Sequence, residues 1–136
     1  DEVRGFFLAE PLRRVETGAY LIGRNEVTYG DYITFLEALP EEARRELLAS
    51  TAEGSLQDGV RLREISGGWQ LELDQGDRVY TTRSGELLTY EGRTQRAAVD
   101  WMRLPVTGIS RVEATAYLSW LRRTGRVPGA RFCNEY

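Results

Sequence analysis

The segment from Leu104 to Tyr136, LPVTGISRVEATAYLSWLRRTGRVPGARFCNEY, constrains the chain more than any other stretch. Ser110 stands three residues before Glu113, an S-x-x-E box in which each side chain satisfies the other's backbone donor at a helix start. Val112, Ala116, Tyr117, Trp120 and Leu121 then recur on one helical face, flanked by Ala114 and Leu118. Arg122 and Arg123 occupy the last turn, where cations suit the helix dipole, and Gly125 follows as a left-handed stop. The pattern predicts a helix capped by Ser110 and ending at Thr124. Beyond it Pro128-Gly129 turns the chain, Arg131-Phe132-Cys133 extends, and Asn134 reads as the cap of a further helix. Only Glu135 and Tyr136 follow that cap, so the chain is expected to be part of a longer domain.

Upstream, Leu12 to Val15 reads as an edge strand and Ala19 to Gly23 as a firmer one. Thr28 with Asp31 forms a second capping box, carrying a shorter acid than usual. Tyr32, Phe35, Leu36 and Leu39 follow at helical spacing, and the helix must stop near Leu39 because the residue before Pro40 is pushed out of the helical region. Pro40 then opens a polar surface helix over 41–49, with Glu41 and Glu42 in its first turn, and 50–59 has loop composition.

Between Val60 and Val99 the periodicity changes to two. Val60-Leu62, Trp69-Leu71-Leu73 and Val79-Tyr80 alternate, separated by turns at Gly67-Gly68 and Gln75-Gly76-Asp77. Ser84-Gly85 makes another turn before Leu87-Leu88-Thr89-Tyr90, and 91–100 reads as charged and irregular. Helices segregated from short antiparallel strands define an α+β class.

At 136 residues the chain is one domain in size. No apolar run approaches the roughly 18 residues of a membrane helix, and no basic-then-apolar leader opens the sequence. With Asp1 leading, an excised or processed piece is expected. Net charge is −3 with the arginines scattered, which argues against a nucleic-acid surface. A single cysteine rules out an internal disulfide and fits a reducing compartment, so a cytoplasmic location is expected. The absence of histidine removes catalytic triads and His-based metal sites from this chain. Any chemistry would fall to carboxylates, tyrosines, arginines or Cys133.

Each candidate has a simpler structural account. Cys133 could be an activated thiol before a helix, but without a base it reads as a small buried residue at a turn. Asp74, Asp77, Glu86 and Glu91 lack calcium-loop order and read as a solvated hairpin rim. Gly67-Gly68 and Gly125 match no phosphate loop. Trp69, Tyr80, Tyr90 and Trp101 could line a ligand surface, yet packing is the default for such residues. The pairs Arg13-Arg14, Arg44-Arg45 and Arg122-Arg123 could hold anions; solvated helix faces and dipole pairing explain them more simply. No catalytic, cofactor-binding or metal-binding residue is assigned in this chain.

Three segments resemble one family, the formylglycine-generating enzyme or sulfatase-modifying-factor domain. Ile22-Gly23-Arg24-Asn25-Glu26-Val27-Thr28, with Tyr32 and Phe35-Leu36, is similar to its "EVT, then Y, then FL" entry into the first helix. Leu104 to Ser110, followed by Glu113-Ala114, Ala116-Tyr117 and Trp120-Leu121, resembles the pattern "PV, G, VS, DA, AY, WL". Arg131 to Tyr136 looks like a variant of R-L-P-T-E-A-E-W, with Cys133 where proline is usual and Asn134 where threonine is usual.

The resemblance covers Glu10 to Tyr136 and implies the N-terminal portion of a C-type-lectin-like fold, a single partial domain carrying a β-rich insertion at about 60–101. It implies a bacterial subgroup in which such domains accompany serine/threonine protein kinases. No kinase signature is present in this chain. The paired copper-binding cysteines and most calcium ligands of the active enzymes match no position here, so copper and calcium would belong to an absent half. The expected function is therefore a non-catalytic binding or regulatory module of a signalling protein. The alternative is part of a true formylglycine-generating oxidase acting on a sulfatase cysteine. The partner expected is a protein or peptide, the missing half of the domain, or a second copy, with no nucleic acid and no membrane segment.

Overall fold

Two hydrogen bonds tie the start of the first helix to the approach to the last one, and the other elements are arranged about that junction. The Tyr29 N–H donates to the Leu104 carbonyl at 3.0 Å and the Val106 N–H to the Val27 carbonyl at 2.8 Å, with a lone bridge between Thr28 and Pro105. The structure, a computed structural model of the chain, describes residues 14, 16, 18–52 and 59–133. The expectations for the strand at 12–15, for Arg13 and for the Asn134 cap lie outside those residues.

Helix α1 spans Tyr29–Glu37 and begins with the expected capping box: the Thr28 hydroxyl accepts the Asp31 N–H while the Asp31 carboxylate accepts the Thr28 N–H. Tyr29, Tyr32, Ile33, Phe35 and Leu36 are all buried, so the apolar face is wider than the four-residue stripe in the sequence. Burying side chains of this size stabilises the fold by about 1.5–3 kcal/mol each. Helix α2, Glu41–Ala52, follows Pro40 and runs three residues beyond the expected boundary at 49.

Strands β1 (Val60–Ile65), β2 (Gly68–Asp74) and β3 (Val79–Arg83) form an antiparallel meander in the order β1-β2-β3. The register pairs Leu62 with Leu71 and Leu71 with Thr82, which sets Leu71, fully buried, at the centre of the inner face. Strand β4 (Leu88–Thr89) pairs with β5 (Ala98–Val99), a correction to the irregular reading of 91–100. A short 3-10 helix, Trp101–Arg103, is capped by Asp100, whose side chain accepts the Met102 N–H.

Helix α3, Arg111–Arg123, carries the Ser110–Glu113 box and ends at Gly125, whose φ of 71° is the left-handed conformation glycine tolerates best. Its buried face is centred on Glu113, Tyr117 and Trp120. Val112, expected on that face, is 68% exposed, because the inward position goes to the neighbouring carboxylate.

Phe35 lies against both Tyr117 and Trp120, with ring centroids 5.6 and 5.7 Å away, in the edge and tilted geometries aromatic pairs favour. Two tryptophans tie the sheet to this core: Trp69 Nε1 donates to Glu37 at 3.0 Å and Trp101 Nε1 to the Arg83 carbonyl at 3.0 Å. One hydrophobic cluster includes residues of α1, α3, the sheet and the 3-10 helix. The class is α+β: among the described residues, three α-helices with short antiparallel sheets.

The strand expected at 19–23 does not form. Tyr20, Leu21 and Ile22 stand 65%, 102% and 70% exposed, and no described strand lies beside them to complete a ladder. Among the described residues no helix is long and apolar enough to cross a membrane.

Candidate ligand-binding cleft

A concavity of about 670 Å³ opens between helix α2, strand β1 and the segment 106–109 that leads into α3. Its size falls within the range of small-molecule pockets. Glu41, Arg45, Leu48 and Ala49 form the α2 wall, and residues 60–64 of β1 form the facing side. Gly108 completes the rim at φ 71°, where an added Cβ would sit 3.3 Å from the Val60 Cβ, so a side chain there would crowd the strand.

Tyr29, Tyr32 and Glu113 make up the polar base. Glu113 is 1% exposed yet fully engaged: Oε1 accepts the Tyr32 hydroxyl at 2.7 Å and Oε2 accepts the Ser110 N–H at 2.7 Å. Burial pushes the Tyr32 phenol far above the usual tyrosine range, and its bond to the Glu113 carboxylate pushes the same way. The Tyr29 and Thr107 hydroxyls lie 3.1 Å apart and hydrogen bond across the junction. Tyr117, outside the cleft, is also raised, first by burial and then by the Asp31 charge, with Arg126 opposing.

The charged walls are largely paired. Arg44 grips Glu64 through Nε at 2.9 Å and Nη2 at 3.0 Å, and its Nη1 reaches the Leu36 and Leu39 carbonyls at 3.5 and 3.4 Å. With its side chain only 15% exposed, Arg44 is a clamp between α1, α2 and β1, which corrects the solvated-face account for Arg44, whereas Arg45 is exposed. Arg45 pairs with Glu41 one turn earlier, and Arg61 with Glu72 across the hairpin at 3.2 Å. Arg63 has no carboxylate partner among the described residues.

The other residues singled out in the sequence lie elsewhere. Cys133 is exposed and does not line the cleft, which overturns its reading as a buried packing residue. Asp74, Asp77, Glu86 and Glu91 are all exposed along the turns of the sheet. Asp74 accepts the Gly76 N–H at 2.9 Å, Glu86 accepts the Arg83 N–H at 3.0 Å, and Glu91 faces Arg78 at 3.8 Å. Trp69 and Trp101 are core, while Tyr80 and Tyr90 pack edge to face at 5.2 Å with Arg93 over the Tyr90 ring. Arg122 bonds Ser119 on the exposed side of α3.

Sequence reasoning missed Arg63 and the β1 edge as cleft components. An arginine in a short alternating strand gives no indication of which edge of the sheet stays open. No family model, curated protein or solved structure matches the chain.

Proposed function

We propose that the chain serves as a binding or regulatory module, with the cleft between α2, β1 and 106–109 as its ligand surface. In this reading it is a formylglycine-generating-enzyme-like domain that recognises a protein or peptide for a bacterial signalling protein, a serine/threonine kinase being the expected neighbour. The observation that carries the non-catalytic part is the engagement of Glu113. Each of its oxygens accepts a short bond from a group that frames the fold, Tyr32 on α1 and Ser110 at the α3 cap. A carboxylate held this way orients helices, whereas a general base needs an oxygen directed at substrate. What remains at the cleft surface is shape, apolar side chains, and arginines with the glutamates Glu41 and Glu64, both of them paired, the components of recognition.

Selection of a displayed random-peptide library against the chain tests the reading. Enriched peptides are expected, and their binding should fall when Ala49→Arg narrows the α2 wall, where Ala49 is exposed and the core is untouched. Failure to enrich any peptide overturns peptide recognition. Conversion of a peptidyl cysteine to formylglycine by the copper-supplied full-length protein overturns the non-catalytic assignment.

A further inference from the structure

Among the described residues strand β1 is an edge of the three-stranded sheet, and beyond Val60, which is already engaged, that edge borders the cleft. The direction of its backbone groups follows from the ladder. The Asp74 N–H bonds the Gly59 carbonyl, while the Ser84 N–H bonds the Trp69 carbonyl and the Gln75 N–H the Arg78 carbonyl. Even-numbered β2 residues therefore pair with β1, and odd-numbered ones with β3. With the observed register, Arg61, Arg63 and Ile65 bond inward to β2. Val60, Leu62 and Glu64 turn their N–H and C=O groups outward; Val60 is not free, and Leu62 and Glu64 line the cleft.

We infer that the cleft takes an extended peptide segment of a partner protein, which adds to the β1 edge as a fourth strand and places an acidic residue opposite Arg63. The inference rests on the reading of the cleft as a protein-binding surface. An outward row of amides and carbonyls is matched only by another extended backbone, the strand-addition mode of peptide capture. The ladder that uses Leu62 and Glu64 makes position 63 a non-hydrogen-bonded pair, where facing side chains approach most closely. Arg63, exposed and without a carboxylate partner among the described residues, then selects an acid there. On the other face the strand residue opposite Leu62 shares its side with Leu48 and Ala49, which favours an apolar neighbour to that acid. The recognised pattern is apolar–acidic–apolar in an extended chain.

A second copy fits less well. A two-fold antiparallel pairing that sets Leu62 against Glu64 puts Arg63 opposite Arg63, and one that sets Leu62 against Leu62 puts Arg61 opposite Arg63. Like charges directly opposed destabilise a ladder and are a common protection of exposed edges.

The probe is acetyl-Thr-Val-Glu-Val-Thr-amide, titrated to millimolar concentration into the isotope-labelled chain and followed by NMR. The expected result is a shift and slowed hydrogen exchange at the Leu62 and Glu64 amides, weakened about tenfold when lysine replaces the probe's glutamate. Arg63→Glu, a change on an exposed side chain, is expected to reverse that preference. Shifts confined to Tyr29 and Thr107 would overturn strand addition and leave peptide recognition standing, as would a library-selected peptide that binds without moving the two amides. Absence of any shift with either peptide overturns the proposal. So does exchange protection of both amides in the peptide-free chain, which would assign the edge to another segment of the same chain, and so does sedimentation showing self-association through β1.

Discussion

The Tyr32 hydroxyl donates a 2.7 Å hydrogen bond to Glu113, joining the middle of α1 to the first turn of α3 across 81 residues of sequence. Because the other Glu113 oxygen closes the α3 capping box, one carboxylate both starts a helix and positions it against its neighbour. Glu113→Ala should remove the cap and strand a buried phenol, at a cost of about 2–4 kcal/mol. Glu113→Gln, which keeps one acceptor, should cost less. Urea unfolding of both variants and of Tyr32→Phe, arranged as a double-mutant cycle, should give a coupling of about 1–3 kcal/mol. A coupling near zero would mean that the two side chains stabilise the fold independently.

The same bond predicts an alkaline limit to stability. Tyr32 has a raised pKa in the folded chain, through burial first and the Glu113 carboxylate second. Its contribution is therefore fully present below the unfolded tyrosine pKa of about 10 and is lost as pH rises toward the folded value. Above about pH 10 the unfolded chain releases a proton that the folded one retains, so stability should fall by about 1.4 kcal/mol per pH unit for this group. Tyr117, raised chiefly by burial, adds to the slope. Thermal melts of the chain and of Tyr32→Phe between neutral and strongly alkaline pH should show a shallower decline in the variant.

Both capping boxes, the stop at Gly125 and the β1-β2-β3 meander were legible because their causes are local. Thr28 needs only Asp31, and Ser110 only Glu113, a turn away. What escaped depends on distant partners. The 19–23 stretch has strand composition but no described neighbour to pair with, and β5 is a strand only because β4 lies beside it. Val112 is more apolar than Glu113, yet the carboxylate is buried because the Tyr32 hydroxyl supplies a donor from another helix. The cleft is less legible still, since the β1 edge is an edge only in that no other described strand pairs with it.

Arg44 is a third long-range dependence. Its guanidinium makes a two-pronged contact with Glu64 and also reaches carbonyls at the end of α1. Lysine keeps the charge but presents a point where arginine presents a planar fork. Arg44→Lys should destabilise by about 1–2 kcal/mol and Arg44→Ala by more, because paired hydrogen bonds to a carboxylate are among the stronger polar contacts. Since this arginine is mostly buried, the deficit should change little with added salt, in contrast to the exposed Arg45–Glu41 pair. Chemical denaturation in urea at low and high salt separates the two.

Thr82 offers the opposite outcome, a substitution expected to stabilise. It is 3% exposed on β3, directly across from Leu71, and its Oγ1 finds no partner among the described residues. A buried hydroxyl without a hydrogen bond carries a desolvation penalty of about 1–3 kcal/mol. Valine has nearly the same shape, is β-branched like threonine, and suits a strand flanked by Leu71. Thr82→Val should therefore raise the urea midpoint, with a gain of about 1 kcal/mol and an unchanged dependence on denaturant. A loss of similar size would reveal that the hydroxyl is bonded in solution, for instance to an ordered water held within the sheet.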